Sequence, residues 1–234
     1  MKSTGIALDA FGLYDLRTDF IDDELKQLVI RCIDEQKKAA QLKYQKFVPD
    51  QNALAELSHE KLQGLLGAKQ DIHGIATNRS ISNVITFGEA KFDDSIIDQS
   101  VETTRKIVDA RLSEKLQDIF AYDDKLSIVP SGHFWYPAGA YMGWHTNSRV
   151  PGWRIYINYA EENGKSFFRY KHHLTGEIVT LWDEQWNMRV FRVTATEPLW
   201  HCVYSNTNRF SLGYMVKIPT QRTGVISKLK KMFA

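Results

Sequence analysis

Two histidines, an amide and an arginine carry the chemical interest of this chain. They are His145-Thr-Asn147 in "YMGWHTNSRVPGWRIYINYAEENG", His201 in "LWHCVY", and Arg209-Phe-Ser211 in "NRFSLGYMVKI". Alternate residues of a strand face the same way, so His145 and Asn147 would point to one side and Thr146 to the other, which can offer two ligands to one ion. The same alternation groups Arg154, Tyr156 and Asn158 in "RIYINY", and Arg209, Ser211 and Gly213 in the last strand. An interior lined by imidazoles, guanidinium groups, hydroxyls and amides is costly to bury unless it binds something polar.

The elements that must position these residues divide the chain into two textures. Ile21, Leu25, Leu28, Val29, Cys32 and Ile33 recur at helical spacing, with Asp19 as a candidate cap; Ile97, Val101, Val108, Leu112, Leu116 and Ile119 predict a second helix. Pro49 interrupts the segment between them. From about Leu126 the chain turns to short aromatic and β-branched runs, which predict roughly seven or eight strands, the number of a small barrel or a double-sheet jelly roll. Asn163-Gly164 is expected to close a hairpin between "WRIYINYA" and "KSFFRYKHH", and Thr175-Gly176 to close another turn. Helices ahead of a run of strands predict an α+β fold, read as a single domain over 1–234. Its parts are a mainly helical support over 1–125, a β core over 126–218 and a basic tail over 219–234.

The order His145-x-Asn147, His201, then Arg209-x-Ser211 eight residues later resembles the double-stranded β-helix oxygenases that use Fe(II) and 2-oxoglutarate. Their usual motif is His-x-Asp or His-x-Glu, a distal His, and Arg-x-Ser on the last strand. The likeness covers about residues 126 to 217, including "FWYPAGAYMGWH" and "YINYAEENGKSFF". It implies a double-stranded β-helix (jelly-roll, cupin-like) core braced by N-terminal helices. Fe(II) would be held by His145, Asn147 and His201, and 2-oxoglutarate by Arg209, Ser211, Tyr156 and Asn158. A guanidinium suits the distal carboxylate of the 2-oxo acid because it offers two parallel donors. The implied reaction is hydroxylation of a substrate with release of succinate and CO2.

Asn147 departs from that motif, because an amide leaves the ligand set uncharged. Four arrangements are open: Asn147 coordinates weakly, it leaves its place to water or an anion as in halogenating relatives, Asp183 or Glu184 supplies the carboxylate, or activity is lost. The rival reading is a non-catalytic β-helix module that binds a carboxylate through Arg209 without iron. Trp144, Trp200 and Cys202 flank the ligands in sequence and should face away from them, into the core. His172 and His173 are expected on a solvated hairpin edge; His59, His73 and His133 have no evident partners. The pocket mouth is expected from the helical half and the loops near Ser148 to Gly152 and Asp183 to Asn187. A small molecule, a peptide or a nucleobase would fit such loops equally well.

Composition sets wide bounds on these readings. The 234 residues are 43% hydrophobic and 25% charged with a formal charge of +2, ordinary for a globular chain and no pointer to nucleic acid. Two distant cysteines argue against a disulfide framework or a Cys-rich zinc site. Asp9 and Asp15 interrupt the apolar run a secretory leader needs, so a cytoplasmic location is expected. In the tail, Val225, Ile226, Leu229, Met232 and Phe233 alternate with Lys228, Lys230 and Lys231, an amphipathic pattern suited to docking on the protein's own surface.

Overall fold

The computed structural model describes residues 5–16, 20–67, 82–87 and 96–219, with 96–100 described by backbone alone. In chain order the elements are β1 (Leu13–Leu16), α1 (Asp23–Ala39), α2 (Gln41–Gln45), α3 (Ala53–Glu56), α4 (His59–Gly67), β2 (Ser82–Asn83), β3 (Ile85–Phe87) and α5 (Ile96–Ile119). The second half supplies β4 (Ser127–Tyr136), β5 (Ala140–His145), β6 (Gly152–Ala160), β7 (Ser166–Lys171), β8 (Ile178–Trp182), β9 (Trp186–Val193), β10 (His201–Ser205) and β11 (Arg209–Lys217). The tail beyond residue 219, His73 and Asp19 lie outside the described residues. The cap of α1 is Asp22, whose carboxylate accepts from the Leu25 amide at 2.9 Å. None of the described helices is long and apolar enough to cross a membrane.

Two antiparallel sheets face each other, in the orders β1-β9-β6-β11-β4-β3 and β2-β5-β10-β7-β8. From β4 to β11 every successive step except β7 to β8 crosses from one sheet to the other. That winding is a double-stranded β-helix, and with its helices the fold is α+β. The helical part also contributes sheet, since β1, β2 and β3 extend the edges.

The Asn163-Gly164 hairpin does not form. β6 pairs with β9 and β11, whereas β7 pairs with β8 and β10, so the turn carries the chain between sheets. Gly164 has φ 68°, but Asn163 is not among the positive-φ residues. The turn chemistry was local and correct at glycine; it says nothing of whether the flanking strands pair. Gly176, at φ 74°, does close the β7–β8 hairpin.

Alternation along β6 separates two environments. Trp153, Ile155 and Ile157 join Leu25, Val29, Cys32 and Ile33 of α1 and Val108, Leu112 and Leu116 of α5 in a core between helices and the six-stranded sheet. Each such buried aliphatic contributes about 1.5–3 kcal/mol, so α1 and α5 brace the sheet on its outer face. Tyr156 instead packs between the sheets with Tyr136, Phe168, Phe191 and Val203. Trp144, Trp200 and Cys202 lie outside the second sheet against Ala53, Leu57 and Leu62.

Candidate functional site

His145 ends β5 and His201 begins β10, and the two are direct cross-strand partners. A register irregularity between His201 and Val203 re-aims this end of the ladder. The imidazoles lie with centroids 4.0 Å apart and planes at 52°. His145 Nδ1 is 2.8 Å from the Gly143 carbonyl, and His201 Nδ1 is 2.8 Å from the Leu199 carbonyl. A carbonyl only accepts, so each Nδ1 carries the proton and each lone pair is on Nε2. His201 is 1% exposed and stacks on Phe168 at 5.2 Å. Burial, the adjacent His145 and Arg154 disfavour its cation and outweigh the Leu199 carbonyl, so its pKa falls well below the ordinary histidine value.

Asn147 reaches the pair by a different route from strand alternation. The strand stops at His145, and Asn147 adopts φ 55°, a left-handed conformation that asparagine and aspartate tolerate best among non-glycine residues. Its amide group lies 3.4 Å from His201 Nε2, with Nδ2 as the facing atom; rotation of the amide would present Oδ1 there instead.

Among the described residues no three His, Cys, Asp or Glu side chains converge as a metal-binding group. The sequence alternative that Asp183 or Glu184 completes the set is therefore corrected. Asp183 sits at the opposite end of the sheets, where Arg209 opposes Ala160 and β8 ends at Trp182, and Glu184 is exposed in the same loop. For the same reason the 183–187 loop does not build the mouth at the histidine end.

Asp183 instead accepts from Arg189 Nη1 at 2.6 Å, Arg209 Nε at 2.7 Å and Ser166 Oγ at 2.6 Å. Burial would raise its pKa, but the two guanidinium groups prevail and hold it at about 2. Arg209 also donates through Nη2 to Asn158 Oδ1 at 2.8 Å and lies over the Tyr136 ring at 5.0 Å. Among the described residues, Arg209 Nη1 and Asn158 Nδ2 are buried donors without an acceptor. Ser211 is 4% exposed, opposite Asn158. Tyr156 opposes Gly213, where a Cβ would come within 3.0 Å of Tyr156 Cε1 and 2.7 Å of the Gly132 carbonyl oxygen. Glycine is required there for the Tyr156 ring to lie against β11.

A cavity of about 520 Å³ opens beside the histidines, lined by His145, Asn147, Tyr156, Phe134, Met142 and Thr86 among others. That volume suits a small organic ligand. A second depression of about 590 Å³ lies outside α1 near Tyr159 and Trp186, and shares no lining residue with it.

Of the remaining described histidines, His133 lines the same cavity as His145 and Asn147, and the others stand elsewhere. His172 and His173 are on the β7–β8 turn, and His59 lies 2.8 Å from Gln63 on α4. His133 is buried against Tyr214, on the helix side of its sheet, with its pKa pushed down to about 3 by burial and by Arg105. Sequence reasoning missed the Asp183–Arg189–Arg209 cluster. Its only signal was alternation, which puts Arg189 on the face of β9 shared by Phe191 and Val193.

No protein-family model matches the chain, and no curated protein matches it. Solved structures similar to it include an oxidoreductase of the 2OG-Fe(II) oxygenase family from Burkholderia pseudomallei, at 14% identity over 70% of this chain and 81% of that one, with a TM-score of 0.43. Another is a prolyl-4-hydroxylase from Pseudomonas putida, at 13% identity over 90% of this chain and 95% of that one, with a TM-score of 0.44. The fold assignment rests on the strand order given above.

Proposed function

We propose that this chain is an Fe(II)- and 2-oxoglutarate-dependent oxygenase that hydroxylates its substrate, with His145 and His201 as the protein's iron ligands and Asn147 beside them. The observation that carries the reading is the imidazole pair, each ring fixed through Nδ1 by a backbone carbonyl so that its Nε2 lone pair can bind a cation. The donor set fits a divalent metal through two nitrogens, and among the described residues no carboxylate joins them. When bound, iron and the 2-oxo acid together supply the reduction of dioxygen: one oxygen atom goes to the substrate and the other to the succinate formed as CO2 is lost.

The chain's own residues position these groups. Arg209 Nη1 and Asn158 Nδ2 are the donors that a distal carboxylate would satisfy, and Asp183 holds the guanidinium in place through Nε. Tyr156 lines the cavity beside His145, and Ser211, opposite Asn158, stands toward the Arg209 end. Phe168 and Phe191 pack on His201 and keep water from that side of the ring. The substrate is a small molecule or a peptide side chain entering the cavity beside His145, with a nucleobase also compatible with its volume. The two cysteines are free and buried, in keeping with a cytoplasmic protein.

The test is an anaerobic titration of the metal-free protein with Fe(II) and then 2-oxoglutarate, watching for the visible charge-transfer band of a chelated 2-oxo acid. A saturable band that weakens in Arg209→Ala is expected. No band, even after Asn147→Asp, would overturn the reading and leave a carboxylate-binding module.

A further inference from the structure

The interior face of β6 carries a second guanidinium that the roles above do not use. Arg154 is 4% exposed and opposes Phe191 on β9 and Met215 on β11. It lies one alternation step nearer the histidine end than Tyr156. Its Nη2 donates to the Val150 carbonyl and its Nη1 to the Trp153 carbonyl at 3.5 Å. Both carbonyls are neutral, and no ion pair of the described residues includes Arg154, whereas Arg189 and Arg209 share Asp183 and Arg189 also lies 3.5 Å from Asp15. Among the described residues three inward guanidinium groups thus meet two carboxylates, and the one left unmatched bonds the loop that follows His145 and is near enough to His201 to disfavour its cation. Burial pushes the Arg154 pKa down, yet an arginine stays charged at any working pH.

A buried cation without a counter-ion is costly, and a ligand anion removes that cost. The co-substrate's distal carboxylate is poorly placed to do so by way of Arg209. That guanidinium is tied to Asn158 and Asp183 opposite Ala160, six residues along β6 from Arg154, which is tied to the mouth loop through Val150, so a carboxylate held by Arg209 lies away from Arg154.

We infer that Arg154 recognises an anionic group, carboxylate or phosphate, on the primary substrate, and holds it beside the His145–His201 pair. This rests on the oxygenase reading for the word substrate; the anion site itself rests on the burial and pairing of Arg154. A purely structural role, pinning the 146–151 loop, is the competing account, so the test reads ligand rather than stability alone.

The full-length protein is titrated with inorganic phosphate and with acetate, with and without saturating 2-oxoglutarate, following the Arg154 Nε–H resonance and the anion-induced rise in Tm. We expect one of the two anions to bind saturably in the presence of 2-oxoglutarate, which also tells phosphate from carboxylate. Arg154→Gln should weaken that binding about tenfold, the loss of one charge-assisted hydrogen bond, and leave 2-oxoglutarate affinity unchanged. Arg154→Lys keeps the charge and should retain part of the binding, and it stands in for Arg154→Gln if the latter fails to fold. Anion binding indifferent to both substitutions would overturn the inference, as would loss of 2-oxoglutarate affinity in Arg154→Gln, which would assign Arg154 to the co-substrate. Arg154-dependent anion binding in a wild type that binds no 2-oxoglutarate would sink the oxygenase reading and leave the anion site standing.

Discussion

Replacing Asp183 by asparagine removes the charge that two buried guanidinium groups share, and the structure fixes what that should cost. Asp183 is 1% exposed, while Arg189 and Arg209 are 0% and 1% exposed and bond it at 2.6 and 2.7 Å. Breaking a buried ion pair by removing one partner costs about 3–5 kcal/mol. Asparagine keeps the volume and one acceptor, and Asp15 stays near Arg189, so Asp183→Asn belongs near the lower end, about 3 kcal/mol. An independent route uses pH. The folded carboxyl titrates at about 2 against an ordinary 3.8, and each pKa unit corresponds to 1.36 kcal/mol, giving about 2 kcal/mol. The sign follows from the depressed value: the unfolded chain binds this proton more readily, so the contribution is complete above about pH 4 and lost as pH falls through about 2. The smaller figure is reasonable because a protonated Asp183 still accepts hydrogen bonds. Urea denaturation at pH 7, and then stepwise to pH 2, measures both quantities. If the variant lies within 1 kcal/mol of wild type at unchanged slope, or shows the same acid-side loss of stability, the assignment of Asp183 as counter-ion to both arginines is wrong.

Two further outcomes follow from the geometry. Asn147→Asp places a carboxylate beside the imidazole pair, and since opposite unit charges 4 Å apart attract by about 4 kcal/mol at an effective dielectric of 20, divalent-metal affinity should rise by about a hundredfold or more, read by competition with a chromophoric chelator; an unchanged affinity would mean that residue 147 does not face the cation. Gly213→Ala drives a methyl to 2.7 Å from the Gly132 carbonyl oxygen, a backbone atom that cannot swing aside, and should cost about 1–3 kcal/mol in urea denaturation while displacing Tyr156; a neutral effect would show that β11 and β4 separate more easily than their pairing indicates.

The parts of this architecture visible in the sequence are those set by local periodicity. The 3.6-residue recurrence from Leu25 to Ile33 marked the buried face of α1, and the two-residue alternation in β6 and β11 placed Tyr156 with Asn158 and Arg209 with Ser211. Pairing was not visible, because Asn163-Gly164 specifies a reversal but not whether the strands on either side stay in one sheet. Asn147 was placed beside the histidines by an alternation that stops two residues earlier; the left-handed turn brings it there instead. Asp183 was the most misleading residue. Its partners lie 6 and 26 residues away on strands whose ends meet only in the folded sheets, and no spacing rule joins a loop carboxylate to two strand arginines. Arg154 was on a face already identified, but its significance is that no ion pair of the described residues includes it, which only the assembled interior reveals.

The amide at 147 and the guanidinium at 154 form one electrostatic arrangement. A divalent cation between two neutral imidazoles would add positive charge to an interior where, among the described residues, arginines already outnumber carboxylates. A protein carboxylate at 147 would offset that charge before any ligand arrived; asparagine, in the same left-handed turn, does not. The compensating charge would then have to enter with the ligands, through the carboxylates of the 2-oxo acid and the anionic group met by Arg154. Each anion would strengthen binding of the cation, and by linkage the cation would strengthen binding of each anion to the same degree. On this view an amide at 147 would make a complete site conditional on the presence of its ligands, while Asp183, at the opposite end of the sheets from the histidine pair, holds Arg209 there.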